Sequence, residues 1–161
     1  MRRHEIIKRF AGLIAVVMLA AGVTAVSALG VASKAGNSPR GGALHVTKVC
    51  VYPDFDGQPG SFCTIKSSNL SAIGAGSKVF YAEADDPSAD FYDTDLYVYT
   101  GPGNSVFGHV KLSNTTGAGV LTLSGGTGRF RGFRARVDVT YDAAADLWHW
   151  DGSYRIESHR H

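Results

Sequence analysis

One acidic side chain in a predicted strand has the type and position needed for acid–base chemistry. Glu83 follows Val79 and Tyr81 on one face of the segment KVFYAEA, residues 78–84. If that face lines the interior of a closed sheet, the buried carboxyl group holds its proton more tightly and can act as an acid or orient a cation. A register shift of one residue places the same group in solvent instead. Glu83 is therefore the catalytic candidate.

Aromatic side chains recur at alternate positions in two further segments, where they could form the wall of a binding site. Tyr97 and Tyr99 share one face of a strand, and Trp148 and Trp150 share one face of another. Aromatic walls suit hydrophobic or phenolic ligands, although the same rings also fill the interiors of small barrels. The candidate ligand-binding residues are Tyr81, Tyr97, Tyr99, Trp148, Trp150 and Tyr154.

The acidic and histidine residues do not show the spacing of a metal site. Five aspartates lie between residues 85 and 95 without the regular ligand spacing of a calcium-binding loop, and we interpret them as a charged loop at a barrel mouth. His109 and His149 are isolated strand residues. We expect no metal and no cofactor, and no Gly-x-Ser-x-Gly motif supports a serine nucleophile.

The segment GGTGRFRGFRARVDV, residues 125–139, combines glycines and arginines as phosphate-binding loops do. A dinucleotide-binding motif requires a third glycine where Arg131 stands, followed by a helix. Residues 130–141 instead alternate apolar and polar side chains, as a strand does. We therefore predict a hairpin turn with glycines at positive φ and arginines in solvent, and no nucleic-acid partner. The turn glycines are Gly125, Gly126 and Gly128.

The chain from residue 43 onward reads as short strands separated by turns rich in Gly, Pro, Asn and Asp, without helical periodicity. Eight strands in a single domain indicate an all-β fold, and closing such a sheet into an eight-stranded antiparallel barrel removes its edges. The interior of a barrel of this size holds side chains or one small ligand. The predicted strands are 43–52, 61–69, 78–84, 95–101, 105–113, 119–124, 130–141 and 147–157.

The N-terminal residues have the pattern of a secretory signal peptide. A basic cluster precedes an uncharged apolar stretch from Phe10 to about Val26, and the segment Val26-Ser27-Ala28 provides the small residues that signal peptidase requires at positions −3 and −1 of the cleavage site. We predict cleavage and secretion. The alternative is an uncleaved membrane anchor, because the apolar stretch approaches the roughly 20 residues that span a bilayer. The predicted segments are a signal peptide at 1–28, a flexible linker at 29–42 and the β-barrel domain at 43–161.

Two cysteines, Cys50 and Cys63, bracket the turn-rich segment VYPDFDGQPGSF. An even pair in an exported protein is typical of a disulfide, whereas zinc requires about four ligands and redox motifs are usually Cys-x-x-Cys. We predict a structural disulfide between them, which stabilises the fold by about 3 kcal/mol on the chain-entropy account.

Removal of the signal peptide changes the net charge. The full chain has 161 residues, with 16 Lys and Arg against 14 Asp and Glu. Four of these cations and one anion lie in residues 1–28, so that 12 cations and 13 anions remain, a net charge of −1. A nearly neutral protein has no general electrostatic affinity for nucleic acids or acidic membranes.

The segment GVLTLSGGTGRFRGFRARVDVT, residues 119–140, resembles segments of plant dirigent proteins and of secreted bacterial proteins similar to allene oxide cyclase. The segments LHVTKVC, GSFCTIKSSNL and WHWDGSY resemble the bacterial branch, so that the resemblance covers residues 44–154. It implies an eight-stranded antiparallel barrel with an apolar cavity and assembly as a homo-oligomer, a trimer or a dimer. It carries over no active-site residue.

Two function classes follow from these observations. In the first, the barrel binds a hydrophobic or phenolic small molecule and steers its cyclisation or coupling, as a cofactor-free isomerase or a dirigent-like protein. In the second, it is a non-catalytic binding or structural barrel of the cell envelope or the extracellular space. An aromatic cavity that holds an ionisable group favours the first class, and a lumen filled by its own side chains favours the second.

Overall fold

The computed structural model of the protein describes residues 40–157. The predicted signal peptide and nearly all of the predicted linker lie outside these residues, as do residues 158–161. Within the described part, no helix is long and apolar enough to cross a membrane.

Eight antiparallel strands form a closed barrel, as the turn spacing predicts. Each strand pairs with its neighbour in the chain, and pairing of the first strand with the last closes the sheet, so that no strand edge is left open. Two short 3₁₀ turns, Ser71–Ile73 and Gly128–Phe130, interrupt the loops. The strands are β1 Gly41–Val49, β2 Phe62–Ser68, β3 Lys78–Tyr81, β4 Phe91–Tyr99, β5 Ser105–Ser113, β6 Gly119–Gly126, β7 Phe133–Asp142 and β8 Leu147–Ile156.

Apolar side chains at alternate positions fill most of the lumen. In β7, Phe133, Ala135, Val137 and Val139 point inward and are buried, while the residues between them are exposed, as the period of two predicts. In β8, Trp150 is buried on the same inner side. The core therefore sits inside the barrel. The largest fully buried side chains include Leu44, Ile65, Ile73, Val79, Val98, Val106, Leu121, Leu123, Phe130, Phe133, Val137 and Trp150.

The loops fall into two groups because successive strands run in opposite directions. We call one end of the barrel the Lys48 end, where Lys48 lies near the end of β1. We call the other the Phe130 end, after the side chain in its glycine-rich loop. The loops at the Lys48 end are 50–61, 82–90, 114–118 and 143–146, and those at the Phe130 end are 69–77, 100–104 and 127–132.

The glycine-rich segment forms a longer connection than a simple hairpin turn. It contains the 3₁₀ turn that buries Phe130, and β7 begins at Phe133, three residues later than predicted. Positive φ occurs at Gly125 and Gly128, as predicted, and at Gly132 in place of Gly126. A Cβ atom at Gly128 would collide with the Asn104 side chain and lie 2.6 Å from the Gly103 carbonyl oxygen. The glycines therefore allow the loop to pack closely, without a helix that could bind phosphate.

Candidate ligand-binding site

A cavity of about 220 Å³ opens at the Lys48 end of the barrel. Its wall combines aromatic rings from three strands and a loop with the amine of Lys48 and the carboxyl group of Asp85. An apolar, concave wall with a few polar groups is typical of small-molecule sites. The lining residues are Lys48, Cys50, Phe55, Tyr81, Asp85, Pro87, Tyr92, Leu112, Ser113, Asn114, Gly117 and Trp148.

Hydrogen bonds between loops fix the shape of this cavity. The Asp85 amide donates to the Gly57 carbonyl oxygen at 2.8 Å, which ties loop 82–90 to loop 50–61. The Asn114 side-chain amide donates to the carbonyl oxygens of Asp86 and Ala89 at 2.9 and 3.0 Å, which ties loop 114–118 to the same loop. The wall is therefore held by backbone contacts as well as by packing.

The predicted disulfide between Cys50 and Cys63 is confirmed. It closes loop 50–61 against the start of β2 and places Cys50 in the cavity wall. Phe55, in the same loop, packs edge-on against Tyr81 with 5.6 Å between ring centroids. The disulfide thus holds one side of the binding site in place.

Lys48 is the buried cation of the site. It follows Leu44 and Val46 on the inward face of β1, and only 2% of its surface is exposed. Its Nζ lies 4.8 Å from the ring centroid of Trp148, 5.6 Å from that of Tyr81 and 6.0 Å from that of Trp150. Three aromatic faces at these distances stabilise the charged form of the amine through cation–π contacts.

The Lys48 amine lacks a strong polar partner. Its Nζ donates a hydrogen bond to Cys50 Sγ at 3.3 Å, and a disulfide sulfur is a weak acceptor. None of the ion pairs among residues 40–157 includes Lys48. Burial lowers the pKa of Lys48 from 10.5 to about 7, because the apolar surroundings disfavour the ammonium. A large fraction of the amine is therefore neutral near pH 7 and can act as a base, a nucleophile or a hydrogen-bond acceptor.

The pKa values of the other ionisable groups of the wall are raised. Burial, and secondarily the neighbouring Asp86, raise the pKa of the Asp85 carboxyl group. Asp85 Oδ1 is buried and has no hydrogen-bond partner within residues 40–157. Burial also raises the pKa of Tyr92 to about 12 and that of Tyr81 further still. Both phenols therefore stay neutral across the physiological range, and the Tyr92 hydroxyl group donates to the Glu83 carbonyl oxygen at 3.0 Å.

Glu83 does not take the buried position that its acid–base role requires. β3 ends at Tyr81, and Glu83 is exposed in the following loop. The backbone amide of Glu83 donates to Thr94 Oγ1 at 3.1 Å instead of continuing the strand ladder. Its carboxylate accepts hydrogen bonds from the Thr94 hydroxyl group and, at 2.8 Å, from the Asp95 amide. A threonine side chain thus ends the strand, and Glu83 fastens the loop rather than facing the lumen.

The predicted aromatic residues separate into three groups. Tyr81 and Trp148 line the cavity, and Trp150 lies buried beneath Lys48 within the core. Tyr154 lies at the Phe130 end, where its ring stacks on Phe133 at 5.6 Å. Tyr97 and Tyr99 point outward, with 40% and 38% of their surfaces exposed, and Tyr97 stacks on Phe80 at 4.9 Å. The structure therefore places Tyr97, Tyr99 and Tyr154 outside this cavity.

The acidic cluster also divides between two places. Asp93 and Asp95 lie on the outer face of β4 and contact the two ring nitrogens of His109 at 2.8 and 2.9 Å. Asp86 accepts hydrogen bonds from the amide and hydroxyl groups of Ser88 in the loop at the cavity mouth. Among residues 40–157, no group of three or more His, Cys, Asp or Glu side chains is placed to hold a metal ion.

Lys48, Phe55 and Tyr92 are site residues that the sequence analysis missed. Lys48 follows Leu44 and Val46 at a spacing of two residues in the predicted strand 43–52, so all three share one face. This spacing was the signal that could have placed Lys48 in the lumen. A lysine in a strand is ordinarily assigned to the solvent face, because burying a charge without a partner is costly.

Comparison of the chain with protein-family models, with curated proteins and with solved structures finds no match.

Proposed function

We propose that this protein binds a small phenolic or other aromatic molecule in the cavity at the Lys48 end. The observation that carries the proposal is a buried amine that has no counter-ion among residues 40–157 and is surrounded by aromatic rings in the wall of a cavity. Protein interiors are normally close-packed, and a buried amine without a strong partner lowers stability. A feature that is unfavourable for folding is best explained by a ligand that completes it.

The chemistry of the wall suits a phenol. The neutral Lys48 amine can accept a hydrogen bond from a phenolic hydroxyl group, and Tyr81 and Trp148 offer faces for an aromatic ring. The cavity, at about 220 Å³, is smaller than the roughly 300–1,000 Å³ of pockets for drug-sized ligands. We therefore propose a ligand with a single ring or a short apolar chain.

The same cavity supports the steering of a reaction, as the resemblance to dirigent and allene oxide cyclase proteins implies. An aromatic cage with one amine holds a reactive intermediate in a fixed orientation without taking part in redox chemistry. The filled remainder of the lumen favours the second function, a barrel that binds without converting its ligand. The disulfide supports export, because such bonds persist in oxidising compartments.

Calorimetric titration with 4-methylphenol tests the binding proposal. Trp148→Leu removes a ring of the cavity wall and should weaken binding at least about tenfold, equivalent to about 1.4 kcal/mol. Tyr97→Ser, on the outer face, is the matched control and should leave the affinity unchanged. Equal losses in both variants, or no binding by the wild type, would contradict the proposal.

A coupling assay separates the two functions. A substituted phenol is oxidised by an added one-electron oxidant, with and without the protein, and the stereochemistry of the coupled product is measured. A steering protein shifts the product ratio, and the shift is lost in Trp148→Leu. A barrel that only binds its ligand leaves the ratio unchanged.

A further inference from the structure

We propose that Lys48 is a covalent attachment site for an aromatic aldehyde, which it holds as an imine in the cavity at the Lys48 end. This inference rests on the proposed function and names the ligand class for the same cavity. It assigns to Lys48 a bond-forming role that goes beyond a hydrogen bond to a phenol.

The position of Lys48 sets it apart from the other lysines of the barrel. Among residues 40–157, Lys48 is the only charged side chain that is fully buried, and it lines the cavity. Lys111 is more than half exposed and forms an ion pair with Asp93 at 3.0 Å. Lys66 is exposed, and the Lys78 ammonium lies 4.0 Å above the centroid of the Phe62 ring on the outer face. Among these four lysines of the described residues, only Lys48 presents its amine to this cavity.

The reaction is balanced without any further reactant. The lone pair of Lys48 Nζ attacks the carbonyl carbon, a C–N bond forms as the C=O π bond breaks, and one of the two amine protons passes to the oxygen to give a carbinolamine. Loss of the hydroxyl group and of the nitrogen proton as water then forms the C=N bond. The reaction needs a neutral amine, and burial makes about half of Lys48 neutral at pH 7, against roughly 0.03% for an ordinary lysine.

The cavity also supplies an acid for the loss of water. Asp85 lies on the same wall, its Oδ1 is buried without a hydrogen-bond partner in the described residues, and burial raises its pKa. A carboxyl group of this kind can protonate the leaving hydroxyl group and then recover the proton lost by nitrogen. The remaining titratable groups of the wall, Tyr81 and Tyr92, stay neutral.

The surroundings favour an imine over an ion pair with a carboxylate ligand. A neutral imine leaves no charge in the apolar cavity, whereas an ion pair must overcome the desolvation of both charges. Flanking rings from Tyr81 and Trp148 can pack on the aromatic part of an aldehyde.

Reductive trapping of the full chain with 4-hydroxybenzaldehyde at pH 7 tests this inference. Sodium cyanoborohydride converts the imine to a stable secondary amine, and peptide mapping by mass spectrometry locates the adducts. The initial rate of labelling at Lys48 should exceed that at exposed Lys66 at least about tenfold, because a larger fraction of the Lys48 amine is neutral at pH 7. Excess 4-methylphenol, which fits the same cavity but has no carbonyl group, should suppress labelling at Lys48 and leave Lys66 unaffected.

The outcomes separate this inference from the proposed function. Binding of 4-methylphenol without preferential labelling of Lys48 overturns the imine and leaves phenol binding intact. A 4-hydroxybenzoate that binds more tightly than the aldehyde, without labelling, assigns the amine to ion pairing and also overturns the imine. If neither 4-methylphenol nor the aldehyde binds, both proposals fail. Peptide mapping is done on the wild-type chain. The variant Lys48→Met retains an apolar side chain of similar length, and loss of the adduct in this variant confirms the assigned site.

Discussion

The two ends of the barrel are built from the same alternating strands but are closed in different ways. At the Phe130 end, the rings of Phe130, Phe133 and Tyr154 pack in succession, with centroids 5.6 Å apart in each pair. At the Lys48 end, aromatic rings surround an amine and a cavity of about 220 Å³. The rings at the Phe130 end pack on one another, whereas those at the Lys48 end leave a partly polar space between them.

This difference indicates which end stabilises the fold and which end binds a ligand. Packing of large rings contributes stability, whereas a buried amine and a cavity both reduce it. The Lys48 end is also the end at which the disulfide constrains a loop. We infer that the Phe130 end and the disulfide together offset the cost of an unfilled Lys48 end.

Phe133→Ala should have the largest effect and tests the structural role of the Phe130 end. Phe133 is fully buried between Phe130 and Tyr154, so its truncation should lower the free energy of unfolding by about 3–5 kcal/mol. Urea denaturation measures this change. Affinity for 4-methylphenol, measured at a temperature where the variant is folded, should stay within about twofold of wild type. A loss of affinity without a loss of stability would contradict the assignment of stability to the Phe130 end and of ligand binding to the Lys48 end.

The pH dependence of stability should report the buried amine at the Lys48 end. Because the pKa of Lys48 is lowered to about 7 in the folded state, the unfolded chain binds more protons between pH 7 and 10.5. The free energy of unfolding should therefore rise on the order of 3 kcal/mol from pH 7 to pH 10. Above pH 10 the raised pKa values of Tyr81 and Tyr92 act in the opposite direction, because only the unfolded phenols ionise.

Lys48→Met is the control for this pH profile. The rise between pH 7 and pH 10 should disappear, and the variant should be more stable than wild type at pH 6, because no buried ammonium remains. Denaturation with urea at each pH, with the disulfide intact, measures both effects. A rise that persists in Lys48→Met would assign it to another group.

Gly128→Ala should have a smaller effect and sharpens the account of the Phe130 end. The residue has φ +57°, and a Cβ would lie 2.6 Å from the Gly103 carbonyl oxygen. Backbone strain and this contact should lower stability by about 1–3 kcal/mol. Gly60→Ala, also at positive φ but with open space around the new Cβ, is the matched control and should cost less in thermal denaturation. Equal losses would mean that close packing of the glycine-rich loop contributes nothing.

Arg134→Ala should have the smallest effect on stability. Arg134 lies on the solvent face of β7 and contacts Glu157 at 3.2 Å, and exposed pairs of this kind contribute little. Stability should change by no more than about 0.5 kcal/mol, and no nucleotide should bind to wild type or variant. Filter binding with ATP and RNA at low salt, beside thermal denaturation, checks both statements. Nucleotide binding that disappears in Arg134→Ala would restore a phosphate-binding role for the glycine–arginine segment.

The fold could be predicted from the sequence because period two and turn residues recur along the whole chain. The number of strands, the closed antiparallel barrel, the disulfide and the alternation along β7 are all confirmed. Strand ends were less accurate: β4 begins at Phe91, four residues early, and β3 ends at Tyr81, three residues early. The second error follows from a hydrogen bond between the Glu83 amide and the Thr94 side chain, which periodicity does not reveal.

The candidate site was harder to predict because alternation shows which residues share a face but not which face is inside. Tyr97 lies on the same face of β4 as Asp93 and Asp95. These two charges were the signal that this face is outside. Lys48 required the opposite inference, that a lysine follows Leu44 and Val46 into the lumen. Such exceptions to the polar-outside pattern are expected at functional sites.

The central claim is that the Lys48 end binds the ligand, and an amide-resolved NMR titration with 4-methylphenol tests it most directly. We expect chemical-shift changes at Lys48, Tyr81 and the Trp148 indole N–H, and none at Phe130 or at Tyr97 on the outer face. Changes centred on Phe130 or Tyr97, or no changes at saturating phenol, would contradict the account.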